Sequence, residues 1–192
     1  MIIGISGKAN AGKDTLAEWI QIYSRRVIKI DWEIKSFAYN VKHVASILTG
    51  LPVEFMITRA GKAAFLSGFG MTGGALQQKI GEGIRNTVHE NAWVMALLSG
   101  YKASDDPRWI IPDVRYQNEA RAIRALGGML VRVNRDAVDD CGRDPNHSSE
   151  IDLDNWTDWD FVIQNDGTLN DLKNEGVRIA VRAERILRER SF

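Results

Sequence analysis

The sequence predicts an α/β fold, a parallel sheet with helices on both faces. Two observations carry that expectation. Short apolar runs alternate with segments of helical periodicity along the 192 residues. The first apolar run also opens into GISGKANAGKDT, a glycine-rich stretch that leads straight into a helical pattern. A composition of 44% hydrophobic and 26% charged residues supports a packed core. Neither repeats nor low-complexity tracts interrupt it.

The elements follow in order. MIIGIS reads as a buried strand, and 13–25 as a helix with Leu16, Ala17, Trp19, Ile20 and Tyr23 at helical spacing. VIKID at 27–31 predicts a second short strand. Residues 38–49 predict a helix with Val41, Val44, Ala45 and Leu48 on one face, stopped by Gly50 with Pro52 beyond. The glycine- and threonine-rich 58–75 reads as irregular and mobile. Helical periodicity returns over 76–99 with Ile80, Ile84, Val88, Trp93, Ala96 and Leu97. RWIIPD at 108–113 predicts a strand, because proline is tolerated near the end of a run. A helix over 117–126 closes at Gly127-Gly128, and MLVRV is the next strand. Residues 135–159 are polar and loop-like; FVIQN is the last strand and 168–190 the last helix, with Leu172, Val177 or Ala180, Val181, Glu184 and Leu187 along it.

Charge and cysteine usage exclude several classes. Formal net charge is +0, so binding along a nucleic-acid polymer is not expected. A single cysteine, Cys141, permits no disulfide within the chain and suits a reducing cytoplasm. No signal-peptide pattern or membrane-length apolar run is present, so a cytoplasmic location is expected. His43, His89 and His147 are too scattered for a histidine/cysteine zinc site.

Gly7 and Gly12, five apart and followed by Lys13, make G-x-x-x-x-G-K after a strand and before a helix. Glycines let the backbone of Ala9, Asn10 and Ala11 turn its N–H groups inward at phosphate oxygens. The helix start and Lys13 add positive potential. A hydroxyl residue normally follows the lysine to coordinate Mg2+; here Asp14 does, with Thr15 next. Asp14 is expected to ligate the metal or cap the helix, and Thr15 to supply the hydroxyl. The chain has no N-K-x-D base-reading sequence and is short for a motor ATPase, which favours a small-molecule phosphotransferase. Asp113 ends an apolar strand, where ligands bind in such sheets, and Arg115 lies two residues on.

Together, GKDT after the loop, DVRYQNEA at 113–120, HSSE at 147–150 and VIQNDGTLNDL at 162–172 resemble the bacteriophage-type deoxynucleoside monophosphate kinases. KSFAYNVKHVASILTG at 35–50 and LQQKIGEGIR with AWV at 76–94 are similar to that family's substrate region. The resemblance implies one three-layer P-loop kinase domain with its core at 1–37 and 100–192. A helical substrate region would occupy about 38–99, and a lid about 135–155. It implies ATP as donor, bound by the loop with Asn165 and Gly167 near the base, and Mg2+ held by Asp14, Thr15 and Asp113. For the acceptor it implies Phe37, Gln78, Arg85, Trp93, Asp113, Arg115, Asn118, Glu119 and Glu150. Lys13, Arg85, Arg115, Arg135 and Arg143 would neutralise the transferring group.

Each residue also has a structural reading. Trp93 suits a core, Asn118 and Glu119 suit helix capping, and HSSE suits a helix start. Arg132, Arg135 and Arg143 stand among Asp136, Asp139, Asp140, Asp144 and Glu150, which suits salt-bridged packing. Arg178, Arg182 and Arg185 suit a solvated face. The acceptor stays open between a deoxynucleoside monophosphate and another phosphorylated molecule such as dephospho-coenzyme A or phosphomevalonate. A non-catalytic nucleotide-binding module is the remaining alternative. Small-molecule substrates are the expected partners, a homodimer stays open, and the location would be a host's cytoplasm if the chain is phage-encoded.

Overall fold

The computed structural model describes residues 1–136 and 147–190. The chain divides into two compact units, Met1–Lys35 with the chain from Lys102 onward, and Ser36–Tyr101. The first unit begins with β1 (Ile2–Ser6), α1 (Lys13–Tyr23) and β2 (Glu33–Ile34). The second holds α2 (Phe37–Thr49), α3 (Val53–Ile57), α4 (Arg59–Ala63), β3 (Phe65–Leu66), β4 (Met71–Thr72), α5 (Gly73–Thr87) and α6 (Ala92–Leu98). The first unit resumes with β5 (Trp109–Val114), α7 (Gln117–Ala125), β6 (Met129–Asn134), α8 (Ser148–Ile151), β7 (Phe161–Gln164) and α9 (Leu169–Arg190).

The first unit is built on a five-stranded sheet in the order β2-β5-β1-β6-β7. Every pairing in it is parallel. β1 is buried along its whole length, which is why it reads as an unbroken apolar run rather than an alternating one. Ile3 and Ile5 of β1 share a core with Leu16 and Ile20 of α1 and with Ile179 and Ala183 of α9. Of the stripe expected on the last helix, Leu172 and Ala180 are buried and Leu187 packs on the core, whereas Val181 is exposed and Ile179 is buried.

Pro112 lies inside β5, although β5 has neighbours on both sides. Two features tolerate the missing N–H. β2 pairs only with Trp109 and Ile110, so Pro112 is beyond its reach. The β1–β5 register also shifts between Gly4 and Ser6, beside Pro112 and Asp113.

The expected strand at 27–31 is not formed. α1 continues instead into a π-helical turn, Ser24–Ile28, closed by Lys29 at φ 66°. The Lys29 and Ile30 N–H groups both donate to the Ser24 carbonyl, which satisfies the helix end. Val27 is exposed while Ile28 packs on the core, so the apolar pair marks a helix face and not a pleat.

In the second unit, Ala45 of α2, Met56 of α3, Leu76 and Ile80 of α5 and Trp93 of α6 form a core of their own. Leu48 and Val88, read as members of the apolar periodicity at 38–49 and 76–99, are exposed. The stretch 58–75 is ordered into α4, the β3–β4 hairpin and the start of α5, contrary to the irregular expectation. Thr58 caps α4 by accepting from the Gly61 N–H at 2.9 Å, and Thr72 caps α5 by accepting from Ala75 at 3.2 Å. Glycine serves close packing here. A Cβ on Gly61 would lie 2.0 Å from the Phe55 carbonyl oxygen, and one on Gly73 would lie 2.2 Å from that of Gly61.

Candidate phosphate-binding site

The site is built where β1 ends. The chain leaves the sheet at Ser6 and turns through Gly7 at φ 152°, Asn10 at φ 56° and Gly12 at φ 99°. Asparagine tolerates the left-handed region better than most side chains, which suits position 10. A Cβ at Gly7 would meet the Val133 carbonyl oxygen at 2.3 Å, so the loop presses directly on β6. Gly12 is the N-cap of α1, and among the described residues no side chain caps that end. Asp14 is exposed in the first turn, so the capping role expected as one option for it falls to Gly12.

Lys13 is buried, and its Nζ donates to the Lys8 carbonyl at 2.6 Å, which bends the ammonium over the loop. The Ala11 carbonyl accepts from Asn165 Nδ2 at 2.8 Å, and the Asn165 N–H donates to the Asn134 carbonyl at 2.7 Å. Asn165 is thus a wall of the loop. It also lines a cavity of about 310 Å³ together with Gly167, Asp171, Leu172 and Arg178.

Asp113 stands near the C-terminal end of β5, beside β1, so it reaches the same sheet edge as the loop. The Arg115 guanidinium pairs with Glu150 and donates from Nη1 to the Ser149 carbonyl at 3.4 Å. The other oxygen of Glu150 accepts from the Ala9 N–H at 3.3 Å. Glu119 is not open to a ligand as expected. It is 2% exposed and accepts from the Arg115 and Tyr116 N–H groups at 2.8 and 3.2 Å, which commits it to the start of α7. Asn118 accepts from the Glu119 N–H at 3.0 Å in the same turn.

Arg135 is exposed at the end of β6. Arg143, with Asp139, Asp140, Cys141 and Asp144, lies outside the described residues. Arg132 follows the packing reading: it donates to Asp154 at 2.9 Å and to Ser6 Oγ at 3.3 Å. His147 caps α8, accepting from the Ser149 N–H at 3.2 Å.

Two carboxylates that the sequence assigned no role also shape the site. Asp152 accepts from the Gln117 N–H at 2.7 Å and fixes the start of α7 behind Arg115. Asp166 accepts from the Asp136 N–H at 2.8 Å and from Gln164 at 2.5 Å, tying the end of β6 to the loop that carries Asn165. Those two bonds, then the nearby Arg135 charge, lower the Asp166 carboxyl pKa below its ordinary value. Asp152 was visible in the sequence only as an acidic residue in a polar stretch, and Asp166 only as a member of VIQNDGTLNDL.

The remaining expected residues belong to the second unit. Trp93 is 5% exposed and donates from its indole to the Gly81 carbonyl at 2.9 Å, so it supports that unit's core and offers no ring face. Phe37 is likewise buried, at the start of α2. Gln78 is exposed on α5; its neighbour Gln77 is the buried one and donates to the Met56 carbonyl at 2.9 Å. Arg85 is half-buried and donates to the Glu90 carbonyl at 3.2 Å.

Among the described residues, no three histidine, cysteine or carboxylate side chains cluster to hold a metal. Asp14, Thr15 and Asp113 are oxygen donors at or beside the loop, a set that fits magnesium carried largely by phosphate oxygens and water. No described helix is long and apolar enough to cross a membrane.

Comparison with known proteins adds three findings. A family model described as deoxynucleotide monophosphate kinase matches residues 75–175, more than half of the chain. A protein of Acanthamoeba polyphaga mimivirus named "Putative deoxynucleotide monophosphate kinase" is 25% identical over 189 residues, covering 91% of this chain and 93% of its own. Among solved structures, a dephospho-CoA kinase from Campylobacter jejuni superposes with a TM-score of 0.50 at 13% identity, over 94% of this chain and 96% of that one. That last likeness shows a shared P-loop kinase fold.

Proposed function

The chain belongs to the deoxynucleotide monophosphate kinase family, a family of phosphotransferases acting on deoxynucleotide monophosphates, and from that premise we propose how its residues divide the work. The donor is ATP. Lys13 and the N–H groups of the loop and of the first turn of α1 receive its phosphates. The observation that carries this assignment is the start of α1 at a left-handed Gly12, with no side-chain cap among the described residues and the Lys13 ammonium folded over the loop at 2.6 Å from the Lys8 carbonyl. Asn165 and Gly167 border the base, beside the cavity they line. Asp14, Thr15 and Asp113 would hold magnesium, which when bound neutralises charge on the phosphate oxygens.

Arg115 binds the acceptor's phosphate in the first unit. Arg85 is assigned the same charge-neutralising role from the second. Arg135 and Arg143 neutralise the charge that spreads over the transferring group. The acceptor phosphate is already anionic, so its attack needs no general base. Gln78, Asn118 and Asp113 remain acceptor-side residues; Glu119 acts by holding the Arg115 and Tyr116 N–H groups, and Trp93 by holding the Gly81 carbonyl of α5.

An ADP-release assay across dAMP, dCMP, dGMP, dTMP and dephospho-coenzyme A tests the reading. Turnover with at least one deoxynucleotide and none with dephospho-coenzyme A is expected. No turnover with any deoxynucleotide would sink it. Lys13→Ala should lower kcat/KM by about 100-fold or more, the scale of losing a preorganised charge on a reacting phosphate.

A further inference from the structure

Glu150 is a carboxylate in an unusual place. It is 8% exposed, and its two oxygens face two different parts of the site. One accepts from the Ala9 N–H inside the phosphate loop at 3.3 Å; the other pairs with Arg115. The segment carrying it is anchored on both sides. Ser148 Oγ lies 3.2 Å from Tyr116 Oη, and Asp152 takes the Gln117 N–H at 2.7 Å. The carboxylate therefore holds a fixed position and is not a loose surface charge.

A loop that receives phosphate and already holds a carboxylate faces a conflict. A phosphate oxygen that takes the Ala9 N–H competes with Glu150 for it, and its charge repels the carboxylate. The protein's own anion must give up that oxygen's bond. The same carboxylate fixes Arg115, so its displacement changes the restraint on the arginine.

We propose that Glu150 is a positioning residue that couples the donor loop to the acceptor arginine: nucleotide entering the loop displaces one oxygen of Glu150 from Ala9 and thereby resets Arg115 for the acceptor. This rests on the assignment of Arg115 to the acceptor given above. Coupling between sites is reciprocal, so acceptor binding changes nucleotide affinity by the same factor.

The test measures Kd by calorimetry for ADP and, with and without saturating ADP, for each of the four deoxynucleoside monophosphates. It uses wild type and Glu150→Gln, with Tm as a control for folding. In wild type, ADP should change acceptor affinity about fivefold or more. In Glu150→Gln that factor should fall to about twofold or less, while ADP itself binds more tightly, by about fivefold, because a repelling charge has left the loop. An unchanged coupling factor in Glu150→Gln, or an ADP affinity that weakens in step with Tm, would overturn the proposal.

Should Glu150→Gln fail to fold, the wild-type protein still decides. The Ala9 amide and Arg115 side-chain NMR signals should shift along one ADP isotherm, and an Arg115 signal that ignores ADP overturns the coupling. If wild type turns over no deoxynucleotide, the functional reading fails on its own, while the ADP and NMR measurements continue to judge Glu150.

Discussion

Substituting alanine for Gly12 would place a Cβ 2.5 Å from Asn165 Nδ2 in a backbone conformation, φ 99°, that side chains rarely adopt. The expected outcome for Gly12→Ala is a stability loss of about 2 kcal/mol or more together with weaker nucleotide binding, read by urea denaturation and ADP calorimetry. At this scale the sequence was legible where residue type and spacing dictate geometry. Gly7, Gly12 and Lys13, spaced as G-x-x-x-x-G-K between a strand and a helix, read as a tight loop, and the backbone takes positive φ at both glycines. Side chains with two plausible partners were not legible. Glu119 and Trp93 carry groups that serve a ligand or the backbone equally well, and only burial and hydrogen-bond partners assign them to the backbone. Glu150 is read differently again: its position in HSSE was visible, but its contact with Ala9, 141 residues away, is a product of the fold.

Helix starts govern the next scale. Thr72 caps α5, the helix that carries Gln78 and Arg85. Thr72→Ala should cost about 1 kcal/mol, seen as a Tm fall of about 2–4 °C. Asp171 at the start of α9 accepts from the Thr168 hydroxyl at 2.7 Å and from its N–H at 2.8 Å. The hydroxyl bond and then the N–H bond lower its carboxyl pKa below the ordinary 3.8. A lowered folded value means the contribution is complete above 3.8 and is lost as pH falls below it, through the folded value. Protection of the first-turn amides of α9, measured against their intrinsic exchange rates, should accordingly fall in that acid range, and Asp171→Asn should flatten the dependence. Most elements were legible because burial imposes periodicity: β1, α2, α7, β6 and β7 stand within a residue or so of expectation. The misses share one cause. At 27–31 and 58–75, short segments are set by caps and tertiary packing, which leave no period to read.

For the molecule as a whole, a ligand that binds only the folded state adds stability by mass action. ADP at 100 times its Kd should add about 2.7 kcal/mol and raise Tm by about 5–11 °C if unfolding is two-state, measured by scanning calorimetry. The division into two units is a long-range property that the periodicity of the sequence does not express. It also has a bearing on how such a chain diversifies. The second unit departs after β2 and the chain returns to form β5, and these two strands are hydrogen-bonded neighbours. The insertion therefore interrupts the chain without interrupting the sheet. Lengthening, shortening or replacing 36–101 would therefore leave every strand pairing of the five-stranded sheet in place.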